Sequence, residues 1–261
     1  MIRNLTTQGL ASFFGAAAAL LLFPPTSLRA QFGPPPPQVA RPAKQVAPED
    51  LTGYWVSIVT EDWRWRMLTP AKGDYASLPL TQAAHKAADA WDPNKDIAEG
   101  NQCKAYGAAA IMRVPGRVHI TWADDNTLKV EADAGTQTRI FRFGAKPAAN
   151  EAASWQGYSV ATWDGLRPPP RGGAGPAGGS LKVVTSNMKS GYLRKNGVPY
   201  SANAVLTEYY NRTNEPNGDS WMVVTTMVDD PVNLYQQFVT STHFKLEKDG
   251  SKWNPSMCEA K

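Results

Sequence analysis

The sequence predicts an all-β protein, an antiparallel up-and-down lipocalin-like barrel with one short helix, and three observations predict it. Four strand-like runs, Leu181–Met188, Ala204–Tyr210, Trp221–Val228 and Phe238–Lys245, follow one another with short gaps, each rich in β-branched and aromatic residues. The gaps hold Asn196-Gly197, Asn217-Gly218 and Asp230-Pro231, which tolerate positive φ or fix φ for a turn. Strands at short intervals with a single helical pattern point away from a layered α/β arrangement.

Ahead of the barrel, Arg3, the apolar run Leu10–Phe23 and the small residue Ala30 read as a secretory signal peptide over residues 1–30. The run is shorter than the roughly 20 residues a membrane span needs. A retained N-terminal anchor is the alternative, since Leu28 is large for its place before Ala30. Residues 31–50 form a proline-rich leader, of which Gln31–Pro48 is expected to stay extended and solvated. Residues 51–261 suffice for one well-buried barrel domain.

Leu51–Val59 is the first strand, and its Gly53-x-Trp55 lets a large ring close the barrel floor. Trp63-Arg-Trp-Arg-Met67 alternates like a strand, with Trp63, Trp65 and Met67 on one face and Arg64 and Arg66 on the other. Those arginines face either water or a polar cavity. Leu80–Trp91 is the helix, capped by Thr81 and ended by Asp92-Pro93, and His85 within it is expected to be solvated. Asp92–Gly100 reads as a polar loop, and Gly107–Ile111 as a small-residue run able to pack against a neighbouring backbone.

A meander follows: Arg117–Trp122, Thr127–Asp133 and Gln137–Phe143, turned at Asp124-Asp125-Asn126 and Ala134-Gly135-Thr136. Arg117, His119 and Thr121 share one face. If that face looks inward, His119 is the imidazole best placed for acid–base work; an exposed or hydrogen-bonded histidine is the alternative. Trp155–Asp164 is a further strand, and Arg167–Gly179 a Pro/Gly-rich surface insertion between two paired strands.

Cys103 and Cys258 are the only cysteines. After export such a pair becomes a disulfide stapling the chain's end to its first half, two free buried thiols being the alternative. Neither has a second Cys or His at ligand spacing, and the three histidines are scattered, so no metal site is expected. The formal charge of +4 forms no basic stripe, which argues against nucleic acid. No nucleophile elbow, phosphate loop, zinc-protease helix or dinucleotide fingerprint occurs, so no cofactor is expected.

A series of short motifs runs in order along nearly the whole mature chain. They are Leu51-Thr-Gly-x-Trp55, Leu78-Pro-Leu-Thr81, Cys103, Ile111-Met-Arg-Val-Pro115, Arg139-x-Phe141 and Trp155-x-Gly-x-Ser-Val-x-x-Trp-Asp-Gly165. Leu181-x-Val183, Gly197-x-Pro-x-Ser201, Leu206-x-Glu-x-Tyr210, Val228-Asp-Asp-Pro231 and Cys258-Glu259 complete the series. In this order the chain resembles a group of secreted, lipocalin-like bacterial proteins with a calycin barrel. The resemblance implies an exported barrel with a ligand space. Members carry His before Ser in the Gly-x-Ser-Val and Pro-x-Ser segments, where this chain has Tyr158 and Tyr200. If both line one pocket, they are phenols able to donate hydrogen bonds or act as acid and base; otherwise they are core aromatics.

Glu208 shares its strand face with Leu206 and Tyr210, and a carboxylate among apolar groups must be paired or have a raised pKa. It is a candidate base or ligand clamp, or the partner of Arg139 or Arg194. The leading expectation is a periplasmic or secreted barrel, without a membrane span after processing. It encloses a small apolar or aromatic molecule against Trp63, Trp65, Arg139, Trp163 and Tyr210. The alternative is a cofactor-independent lyase or isomerase acting on an aromatic compound through Tyr158, Tyr200, Glu208 and His119. A third possibility is a non-catalytic partner protein of the cell envelope, which needs an exposed apolar patch. Nothing in the sequence speaks to oligomeric state.

Overall fold

Side chains alternating at a period of two lay down the staves of a closed barrel. The computed structural model describes residues 41–146, 151–167 and 178–260. The expected signal peptide, the leader up to residue 40 and residues 168–177 of the insertion lie outside the described residues.

The strands are β1 (Gly53–Ile58), β2 (Arg117–Asp124), β3 (Thr127–Ala132), β4 (Gln137–Phe143), β5 (Tyr158–Asp164) and β6 (Ser180–Ser186). They continue as β7 (Gly191–Arg194), β8 (Val198–Tyr200), β9 (Val205–Asn214), β10 (Ser220–Asp229) and β11 (Phe238–Glu247). Nine close in the order β1-β11-β10-β9-β6-β5-β4-β3-β2, while β7 and β8 form a separate hairpin. The stretch from Ser180 onward is the antiparallel wall the sequence announces, β6 pairing with β9, β9 with β10 and β10 with β11. The insertion joins two paired strands, Asp164 standing opposite Ser180.

The all-β barrel departs from the expected pattern in two particulars. β4 and β5 run parallel, Phe141 opposite Ser159. The reason is geometric: strands that alternate in direction cannot close a ring of odd number, so one neighbouring pair must run the same way. The connection 144–157 therefore returns the chain to the end where β4 began. There is also more helix than expected, in four short α-helical pieces and two 3-10 turns among the described residues.

Trp63–Met67 is not extended. It forms one helical turn, α1 (Trp63–Arg66), because Asp62 adopts φ 51° and breaks the strand line, and Met67 N–H then donates to Trp63 O at 2.9 Å. α2 (Gln82–Asp89) is the expected helix, its N-terminus capped by Thr81 Oγ1 accepting from Ala84 N–H at 3.2 Å. The expected loop after Asp92 begins with a further helix, α3 (Pro93–Ala98). Asp92 Oδ1 accepts from Asn94 N–H at 2.9 Å and Pro93 opens the helix, so Asp-Pro ends one helix and starts the next. α4 (Ala108–Ile111) is wholly buried.

The connections 59–116 and 187–204 leave from one end of the barrel and pack together as a cap. The cap has its own apolar cluster, which includes Leu80, Ala84, Met188, Leu193, Tyr200 and Phe238. The opposite end is covered by residues 43–50 of the leader, of which residues 43–48 were expected to be solvated. Ala43 N–H donates to Asn126 Oδ1 at 2.8 Å, Trp163 Nε1 to Ala43 O at 2.9 Å, and Arg212 N–H to Glu49 Oε2 at 2.7 Å. Donors on the barrel rim need acceptors, and the leader supplies them.

Between these covers the barrel is filled by its own side chains. Trp55, Phe141, Tyr210, Met222 and Phe244 are all buried, and a small barrel has just the room to be packed this way. The expected Cys103–Cys258 disulfide is present and ties the cap to the chain's end across 155 residues. Among the described residues, no helix is long and apolar enough to cross a membrane.

Candidate functional site

Two polar clusters lie where apolar residues dominate, one in the barrel and one in the cap. In the barrel, Arg139 of β4 and Glu208 of β9 are 2% and 0% exposed. Arg139 donates from Nη1 to Glu208 Oε1 at 2.9 Å and from Nη2 to Oε2 at 2.6 Å, a bidentate pair. The Tyr210 hydroxyl donates to Glu208 Oε1 at 3.2 Å, and Arg139 Nη2 also reaches Thr185 Oγ1 at 3.3 Å. Burial opposes the Arg139 charge, but Glu208 and Tyr210 outweigh it and push its pKa upward. Burial, reinforced by Glu208, also raises the pKa of the Tyr210 phenol. Both Glu208 oxygens are engaged, although Arg139 Nε has no partner among the described residues, so the pair is a structural clamp with no lone carboxylate to act as base.

The other proposed catalytic groups do not join Glu208. Tyr200 ends β8 inside the cap, where its ring fills the space left by Gly107 and Gly191; a β-carbon at either glycine would collide with its hydroxyl. That hydroxyl has no hydrogen-bond partner among the described residues, and burial raises its pKa, the opposite of what a base requires. Tyr158 begins β5 on the outer face, because its neighbour Ser159 is the one turned inward, 2.7 Å from Thr185. The Arg142 guanidinium covers the Tyr158 ring at 4.5 Å. His119 is on the outer face too, stacked on Tyr54 at 3.9 Å with Nδ1 3.4 Å from Glu131, since Val118 and Ile120 take the inward positions of β2. Period-two alternation thus separates residues that were candidates for one pocket.

The proposed ligand contacts divide likewise. Arg139 and Tyr210 are spent in the barrel cluster, and Trp163 packs at 5.2 Å on Phe143 beneath the leader. Trp65 and Trp63, on α1, belong to the cap.

There Trp65 lines a cleft of about 30 Å³ together with Arg66, Leu68, Arg113, Leu193 and Arg194. A single water needs roughly 10–15 Å³ measured this way, so the cleft holds a small polar group and no more. Arg66 is fully engaged: Nε donates to Arg113 O at 2.9 Å, Nη2 to Ser57 Oγ at 3.1 Å, and Nη1 to Glu61. Burial alone would raise the Glu61 pKa, but hydrogen bonds from Thr60 and His243 and the Arg66 charge bring it below its ordinary value. Arg113, 5% exposed, has Nη2 at 2.9 Å from Asp62 Oδ2, yet neither Nη is aligned for a hydrogen bond.

Arg194 is the exception in this cluster. It is 4% exposed, its guanidinium lies 4.6 Å over the Trp65 ring, and none of its three nitrogens has a partner among the described residues. Burial first, then the Arg113 charge, brings its pKa down to about 10. Glu61 opposes Arg66, Asp62 opposes Arg113 and Asp74 opposes Arg64 at 2.8 Å, and among the described residues no acid is in contact with Arg194. Such a group is a desolvated cation beside an opening, offset only at a distance by the charges of Asp62 and Asp74, and chemically it can receive an anion.

Sequence reasoning missed Arg113 and considered Arg194 only as a partner of Glu208. The available signal was an arginine embedded in apolar neighbours, as in Ile111-Met-Arg-Val-Pro115 and Tyr192-Leu-Arg194, where a buried charge has to be balanced. Compared with known proteins, the chain matches no family model, no curated protein and no solved structure.

Proposed function

We propose that the protein is an extracytoplasmic, small-molecule-binding β-barrel of lipocalin-like kinship. Its apolar or aromatic guest is received at the cap, against the exposed side chains around the mouth of the cleft, rather than inside the barrel. One observation carries this reading. The interior is filled, while the cleft sets the Trp65 ring, Leu68 and Leu193 around an opening, with Trp63 63% and Met67 57% exposed close by in the chain. Ring faces and apolar walls with a few polar anchors are what small-molecule sites are made of. The signal-like N-terminus and the disulfide support export. Binding is favoured over lyase or isomerase chemistry because Glu208 is saturated by Arg139 and Tyr210, and burial holds the Tyr200 phenol protonated.

Titration of intrinsic tryptophan fluorescence with a panel of small aromatic compounds tests the reading. A saturable change is expected. Trp65→Leu should weaken binding about tenfold or more, roughly 1.4 kcal/mol, while Trp163→Phe leaves the affinity within about twofold. Retained affinity in Trp65→Leu, with loss in Trp163→Phe, would move the site back into the barrel.

A further inference from the structure

This step rests on the reading just given and concerns the head of the guest. We infer that the cleft takes an organic anion by its carboxylate, clamped by the guanidinium groups of Arg194 and Arg113.

Three features lead there. First, Arg194 is buried with every nitrogen unpartnered among the described residues, and beside it Arg113, though Nη2 is ion-paired with Asp62 at 2.9 Å, makes no aligned hydrogen bond at either Nη, so the cleft holds donors free to receive a guest. A buried unpaired charge is costly, and water can satisfy its donors without cancelling its charge. An oxyanion does both. Second, the donors are held in place before any guest arrives. Trp65 underlies Arg194, Trp65 Nε1 is itself tied to Asp74 at 3.1 Å, and the Arg113 backbone oxygen is pinned by Arg66 at 2.9 Å. A guanidinium is a planar fork that matches a planar carboxylate through two parallel hydrogen bonds. Third, the volume discriminates. About 30 Å³ suits a three-atom carboxylate better than a five-atom phosphate, and the rest of the guest would lie along Trp65 and Leu68, the latter 74% exposed. Arg66 contributes by supporting its neighbours, since its own donors are already used.

Benzoate and its neutral isostere benzamide, titrated separately into the full chain at pH 7, test the inference, with inorganic phosphate as a competitor. Benzoate should bind about tenfold or more tightly than benzamide, weakening as salt is added. Arg194→Met keeps length without charge: it should abolish the preference, costing benzoate about tenfold or more while changing benzamide about twofold at most. Thermal unfolding of Arg194→Met separates this role from a structural one. Removing an unpaired buried charge should leave stability unchanged or raised, whereas loss of a structural partner would lower it. Equal binding of the two probes by the parent chain overturns the carboxylate clamp and leaves the binding reading standing. Displacement of benzoate by phosphate at equal concentration overturns the carboxylate in favour of a phosphate. Failure of both probes to bind at millimolar concentration overturns the clamp and the binding reading together.

Discussion

Arg139 and Glu208 meet across the barrel from strands that are not neighbours, β5 and β6 standing between β4 and β9. Removing one member leaves the other charged, buried and alone. Arg139→Met or Glu208→Leu should therefore each cost about 3–5 kcal/mol in urea unfolding. Arg139→Met combined with Glu208→Leu should be less destabilised than the sum, because the double variant strands no charge. Additive losses would mean the two side chains act apart. The position of Glu208 was legible from a carboxylate alternating with Leu206 and Tyr210. Its partner was not legible between Arg139 and Arg194, because cross-barrel contact depends on ring order, which local pattern does not encode. The same limit hid Arg194: its isolation follows from where Glu61, Asp62 and Asp74 end up, far from it in the sequence.

At the scale of elements, strands with strict alternation were legible and short helical turns were not. Trp63-Arg-Trp-Arg-Met67 carries a period of two, yet one left-handed residue, Asp62, converts it to a helical turn. Asp92-Pro93 carries stop and start signals at once. In the segment 43–50, residues 43–48 were misread because proline content speaks to regular hydrogen bonding, not to docking. Its Glu49 carries a testable consequence. Burial, against a weaker pull from the Arg212 hydrogen bond and charge, raises its carboxyl from 4.5 to about 7. A carboxyl raised on folding contributes stability that is present in acid and lost as pH climbs from about 4.5 to about 7. Unfolding of Glu49→Gln compared with the parent should thus show little difference below that window. Through it, a gap should open in the variant's favour and stay level above pH 7. A gap of equal size at every pH would show that Glu49 titrates normally.

For the molecule as a whole, closure into a barrel was readable from strand spacing and turn chemistry. The ninth strand's consequence, one parallel pair, was not, because it arises only when the count around the ring is complete. Packing then decides where a guest can go. The inward positions that suggested a ligand chamber are occupied by Trp55, Phe141, Tyr210, Met222 and Phe244, and both ends are covered, so a guest has to be met outside the barrel interior, and the cleft that pairs an aromatic ring with an unpartnered buried arginine belongs to the cap. A crystal structure of the chain grown with benzoate tests this most directly. Ligand density should stand in the cap, its carboxylate within hydrogen-bonding distance of Arg194 and its ring near Trp65, with the barrel interior unchanged. Density among Phe141, Met222 and Phe244, with those side chains displaced to admit it, would contradict a filled barrel that binds at its cap.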